Sequence, residues 1–330
     1  MSGLKYFYKE NAHLEGKLDT YFRTLSEYND VSCGGDLSVI LLGSLSRGEA
    51  TWMEKDGKAV MLSDIEFFTV FPEGFTAFEE FTAFMDSAAS EIFADQDSEL
   101  FHIDNSFVCR TSLGSMERKL LTYDDKQIGK AAVGRDDVEH LPEITLANIN
   151  LWDIRDILTQ RVFSVLYYGL PLKRQGKEEE YRYNLAKNSL DLMTVLLAVH
   201  GKLESGFINR LEAVRRLPVE ESVKHYFEHC LSIKLSTQSE HVCTIEQMEE
   251  QFLQLLKELD KQMKVPLGNT VVNAPHVVRR VLGMCKRAVK HKYVPAYGHL
   301  KRLIHRFAAK QELTQQDLKS NLVINGYPLE

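Results

Sequence analysis

Residues Leu14, Leu18, Tyr21, Phe22 and Leu25 recur at helical spacing, which predicts an amphipathic helix over 6–30 lying on a sheet. An apolar run at 37–42 then stops at Gly43-Ser44, the pattern of a buried strand ending in a turn. A short helix is expected after Ser44. Over 62–71 the pattern is mostly apolar, and Ile65 and Phe67 face one way while Asp64 and Glu66 face the other. Between these strands, Asp56-Gly57 separates 50–53 from 58–61 and predicts a β-hairpin. After the turn Pro72-Glu73-Gly74, Phe78, Phe81, Phe84 and Met85 predict a second helix over 76–93. Residues 100–108 alternate Phe101, Ile103 and Phe107 with His102, Asp104 and Ser106, as in a strand whose polar face looks into a cleft.

From 146 onward the periodicity is almost wholly helical. Helices are expected over 148–168 (stopped by Gly169 and Pro171), 178–200, 207–216, 219–232 and 245–263, with a polar loop at 237–243. Pro275 opens a last segment with helices expected at 277–291 and 297–309. The fold class is therefore α+β. A domain over 1–145, with a mixed β-sheet flanked by helices, precedes an all-helical domain over 146–330.

At 330 residues the chain can bury two cores, and 44% hydrophobic with 26% charged residues is the composition of a soluble globular protein. Neither a long apolar run nor a secretory pattern is present, which places the chain in the cytoplasm and away from membranes. Five scattered cysteines lack metal-ligand spacing and read as reduced, buried, small apolar residues. The net charge of −7 argues against a general nucleic-acid coat. Residues 72–99 hold acids and no Lys or Arg, whereas 276–310 hold ten Lys/Arg, four His and no acid. That basic segment could hold an anionic partner or answer acidic surface elsewhere in the fold. It lacks aromatic interleaving suited to stacking on bases.

The chemistry gathers at 37–68. Two carboxylates side by side on a rigid strand are costly unless a cation lies between them, and Mg2+, with its oxygen ligands, is the natural one. The Gly43-Ser44 turn offers backbone N–H groups and a hydroxyl that can approach a phosphate closely.

At these residues the sequence resembles the nucleotidyltransferases of the DNA polymerase β superfamily. Their signature is a strand, Gly-Ser, a short helix, and a strand bearing Asp-x-Asp or Asp-x-Glu. It stands here as Gly43-Ser44-Leu45-Ser46-Arg47-Gly48-Glu49 and Ser63-Asp64-Ile65-Glu66. The gap between the two halves is longer than usual, and the hairpin accounts for the extra residues. Ser-Asp-Ile-Glu is similar to the aminoglycoside nucleotidyltransferases, and Gly-Ser-x-x-Arg-Gly to bacterial oligonucleotide synthases as well.

The resemblance implies two Mg2+ ions (Mn2+ as a substitute) on Asp64 and Glu66, joined by a third carboxylate from a neighbouring strand. Asp104 is the candidate, with Glu117 and Asp124 behind it, and His102 reads as a polar neighbour. Gly43 and Ser44 would hold the phosphates of a nucleoside triphosphate, ATP favoured. Arg47 would add charge there or pair with Glu49. Lys187 and Asn188, at the polar start of a helix over the cleft, would reach the phosphates or lie on a solvated face.

The implied activity is transfer of a nucleoside monophosphate to an acceptor hydroxyl, on a small molecule in the first reading. The acids of 72–99 could grip a cationic acceptor. An oligonucleotide synthase, or a catalytically silent nucleotide-binding interaction protein, are the alternatives.

Overall fold

The computed structural model describes residues 4–149, 151–236 and 242–262. The basic segment 276–310, with its two expected helices, lies outside the described residues, as do Met263 and most of the expected polar loop at 237–243.

The first half alternates helices and strands. Helix α1 (Ala12–Ser32) starts at Asn11, whose side chain accepts the N–H of Leu14. Then come β1 (Ser38–Leu41), the short α2 (Gly43–Arg47), the hairpin β2 (Trp52–Lys55) and β3 (Lys58–Met61), β4 (Ile65–Phe71), α3 (Phe78–Ile92), β5 (Ile103–Cys109), α4 (Leu120–Ile128) and β6 (Lys130–Val133). The main sheet runs β5-β4-β1-β6. It is mixed: β4 pairs parallel with β5, while β1 pairs antiparallel with both β4 and β6. The hairpin turns at Asp56 and Gly57, both at positive φ (52° and 73°), as its Asp-Gly pair requires.

Alternation along the central strands builds two apolar layers. Val39, Leu41, Ile65 and Phe67 face α1 and α3 in a core with Leu18, Phe22, Phe81 and Met85. Ile40, Leu42, Phe68 and Val70 form a smaller cluster on the opposite face with Leu113 and Leu141. By the two-residue period, that second face also carries Glu66 and, one residue before β4, Asp64.

The second half is helical: α5 (Leu151–Ser164), α6 (Leu170–Arg174), α7 (Glu178–Val199), α8 (Phe207–Arg215), α9 (Glu221–Leu235) and α10 (Ile245–Gln262). These helices share a core around α7, whose Leu185, Leu190, Met193 and Leu197 are fully buried. No helix of the described residues is long and apolar enough to cross a membrane.

Two expectations are corrected here. The stop expected at Gly169 and Pro171 is instead a π-turn, Val165–Gly169, that leads directly into α6. Proline directly follows the π-turn, where the Leu170 N–H bonds the Val165 carbonyl and the helical register shifts by one residue. Gly169 is helical there; a Cβ on it would lie 2.7 Å from Asn184 Oδ1, so glycine lets the π-turn press against α7. The described cysteines are free, but only Cys230 is fully buried, whereas Cys33, Cys109 and Cys243 are partly exposed.

Candidate active site

The β1–α2 turn and the facing ends of β4 and β5 meet at one place. Leu42 donates its N–H to the carbonyl of Glu66 at 2.8 Å, which fixes the turn beside β4. Gly43 follows at φ +61°, and a Cβ there would fall 1.9 Å from Glu66 Oε2. The glycine is thus needed twice, for its left-handed backbone and for the carboxylate lying over it. Ser44 is buried, and its carbonyl accepts the N–H of Glu49 at 2.9 Å.

Parallel pairing puts Asp104 in register with Glu66. The N–H of Ile65 bonds the carbonyl of His102 at 3.0 Å, so Asp64 and His102 are anchored on adjoining backbone. His102 Nε2 lies 3.0 Å from Asp104 Oδ2 and 3.7 Å from Asp64 Oδ2. One ligand atom each from Asp64, His102 and Asp104 lies within 4.8 Å of the others. Glu66, expected as the close partner of Asp64, turns toward Gly43 and does not join that cluster, whereas His102, expected as a bystander, does.

Asp64 is 7% exposed, and the Lys187 ammonium sits 3.0 and 2.9 Å from its two oxygens. Burial pushes the Asp64 carboxyl up, but Lys187, helped by His102 and Lys234, overcomes this and holds it at about 2. Glu66 moves the other way, to about 7, because the Asp64 charge is close and because it is itself buried. The cation-paired acid is thus held ionised, and its charge drives the neighbouring acid to keep its proton. Lys187 loses some basicity to burial, yet the Asp64 charge leaves it more basic than an ordinary lysine.

The remaining expected residues are placed elsewhere. The Arg47 guanidinium binds Glu49 Oε2 at 2.7 Å and lies 4.9 Å from the ring centre of Phe207. Asn188 is buried, and its amide donates back to the Asn184 carbonyl at 2.7 Å, because one step along a helix turns the side chain about 100° from Lys187. Asp124 pairs with Arg210.

Sequence reasoning missed a second layer behind Asp64. Lys234, from the last turn of α9 and 1% exposed, has its ammonium 3.0–3.1 Å from the Glu49 carbonyl, Thr51 Oγ1, Ser63 Oγ and the Tyr183 hydroxyl. All four partners are neutral groups. Burial works against ionisation of Tyr183, but the Lys234 charge outweighs it and draws the phenol below its usual value. The one signal in sequence was a lysine set among Leu231, Ile233 and Leu235 near the end of a helix. Besides pairing with Arg47, Glu49 accepts the N–H of Phe207 at 2.8 Å and of Ile208 at 3.3 Å, the first groups of α8.

No family model matches the sequence, and no curated protein matches it. A solved structure that does match is spectinomycin adenyltransferase AAD(9) from Enterococcus faecialis with ATP and spectinomycin, at 14% identity and a TM-score of 0.48, covering 74% of this chain and 98% of that chain.

Proposed function

We propose that this chain is a metal-dependent nucleotidyltransferase that moves a nucleoside monophosphate from a triphosphate, ATP favoured, to an acceptor hydroxyl, on a small molecule in the first instance. The observation that carries this reading is that Asp64 and Asp104 come together at the ends of adjoining strands while Glu66, in register with Asp104, lies over the positive-φ turn at Gly43. In this reading residues 1–145 form the catalytic part, and the helical part over 146–330 brings Lys187 to it.

The residues suit a divalent cation. The oxygens of Asp64 and Asp104 lie close together, and an ammonium already occupies a cation's place against Asp64. Asp64, Glu66 and Asp104 would hold Mg2+ or Mn2+. Such ions, when bound, lower the pKa of an acceptor hydroxyl and offset the charge that grows on departing pyrophosphate. The first N–H groups of α2 have no partner within their own helix and suit the triphosphate, with the Ser44 hydroxyl beside them. Lys187 neutralises phosphate charge while it steadies Asp64. Arg47 is committed to Glu49 and Asn188 to its own helix, so both are left out of the phosphate-binding set. Catalysis here is positioning and fixed charge, because phosphoryl chemistry asks little covalent help of the protein.

The salt bridge from Lys187 to both oxygens of Asp64 favours a second reading, in which the ammonium permanently replaces the ion and the chain binds nucleotide without turnover. One screen separates the two. The full chain is given each of the four triphosphates with Mg2+ or Mn2+, alone and with pooled hydroxylated acceptors, and pyrophosphate is measured. Release that falls on the order of a hundredfold in Asp64→Asn, about 2.7 kcal/mol of barrier, is expected. Equal turnover in that variant would overturn the assignment, and calorimetric triphosphate binding with no pyrophosphate would favour the silent binder.

A further inference from the structure

The imidazole of His102 is the polar group that the proposed reaction leaves without a task, and its surroundings are unusual. Nδ1 lies 3.1 Å from the carbonyl oxygen of Leu100. A carbonyl can only accept, so Nδ1 carries a proton. Nε2 faces carboxylate oxygens alone, Asp104 at 3.0 Å and Asp64 at 3.7 Å. A neutral ring would aim its lone pair at those oxygens and be repelled. Nε2 therefore needs a second proton or a metal ion. A ring whose Nδ1–H is held by a carbonyl while Nε2 points among carboxylates has the arrangement of a metal-binding histidine, because that hydrogen bond fixes the tautomer and the ring's aim.

The ring's root is rigid as well. The backbone carbonyl of His102 accepts the N–H of Ile65, next to Asp64, and Asp104 follows two residues later on the same face of the strand. Asp64 and His102 thus stand one residue before the paired starts of β4 and β5, and Asp104 stands within β5.

We propose that His102 Nε2 is a direct ligand of a divalent-cation site completed by Asp64 and Asp104, and that this site prefers Mn2+ to Mg2+. The proposal rests on the reading of the two acids as metal carboxylates. The preference follows from the donor set: Mg2+ takes oxygen ligands and keeps its waters, whereas first-row transition ions accept imidazole readily.

The test uses the full chain with Mn2+ alone, without nucleotide or acceptor. Electron spin-echo envelope modulation of the bound ion is expected to show directly coordinated 14N. His102→Gln should abolish that signal and weaken Mn2+ binding about tenfold, while Mg2+ binding changes much less. The His102 side chain is 53% exposed, so the variant should remain folded in chelator, with a cooperative thermal transition like that of the wild type. Bound Mn2+ coupled only to water and carboxylate would overturn the proposal, as would a nitrogen signal that survives His102→Gln or a wild-type chain that binds no Mn2+. The readout is independent of turnover. Nitrogen coordination without pyrophosphate release would uphold this site and sink the transferase reading, and turnover without nitrogen coordination would do the reverse.

Discussion

Glu66 Oε2 lies where a Cβ on Gly43 would have to go, 1.9 Å from its ideal position. The turn and the carboxylate therefore depend on each other. Gly43→Ala must displace Glu66 and also hold alanine at φ +61°, which costs about 1–2 kcal/mol in the left-handed region. The variant is expected to unfold at lower urea by that amount and to lose at least about tenfold in pyrophosphate release. Wild-type rates in Gly43→Ala would mean that the Glu66 position seen here does not matter to the chemistry.

Much of this was legible in the sequence because it is local. Asp56-Gly57 demands positive φ at both residues and so announces the hairpin. Strict alternation put His102 and Asp104 on one face of β5, and two-residue periodicity put Asp64 and Glu66 together. Long-range pairing was not legible. That Lys234, some 170 residues downstream of Ser63, would lie buried against it follows from how α9 packs, which no local pattern encodes. The closeness of His102 to Asp64 was not legible because it depends on the register of β5 on β4. Gly169 and Pro171 looked like a stop because both residues usually end helices; packing of Gly169 on α7 overrode that tendency.

Glu49 joins the two halves of the chain. One oxygen holds Arg47 and the other accepts the first two N–H groups of α8. Glu49→Ala leaves the largely buried Arg47 unpaired and α8 uncapped, and should cost about 3–5 kcal/mol. Glu49→Gln keeps an acceptor for α8 and should cost clearly less. Urea denaturation of both, with Arg47→Met and the double variants, measures the coupling. A cycle in which Glu49→Ala and Arg47→Met simply add would show that the pair is not coupled.

Stability without metal should fall as pH rises. Folded Glu66 holds its proton to about 7 against an ordinary 4.5, from the Asp64 charge and burial. Folded His102 holds its proton to about 9 against 6.5, mainly through the hydrogen bond to Asp104. Both groups bind protons more tightly folded than unfolded, so their stabilisation is complete at low pH and is lost as pH passes each folded value. Asp64 works in the opposite sense, but its window lies between 3.8 and about 2. In chelator the melting temperature should therefore decline from about pH 5 to about pH 9. Glu66→Gln should reduce the lower part of the slope, to which Asp125, driven upward by its own burial, also contributes, and His102→Gln should reduce the upper. Saturating Mn2+ should flatten it, since a bound ion replaces the protons. A metal-free melting temperature that rises across this range would contradict the charge distribution described here.

The pair of Lys187 with Asp64 yields the sharpest contrast between metal-free and metal-bound protein. The ammonium lies 2.9–3.0 Å from both oxygens of a carboxylate that is 7% exposed. Lys187→Met leaves that charge buried and short of its main partner, so the metal-free chain should lose about 3 kcal/mol, on the scale measured for broken buried pairs. A divalent ion on Asp64 supplies the missing charge. The gain in melting temperature on adding Mn2+ should therefore be larger in Lys187→Met than in wild type, even though the variant is weaker without metal. If the ammonium instead occupied Asp64 permanently in the wild-type chain, Mn2+ would leave the wild-type melting temperature unchanged and could raise only that of the variant, in which Asp64 is vacant. Thermal scans of the two proteins in chelator and in Mn2+ decide between these cases, because an ion held elsewhere on the chain would shift both proteins equally.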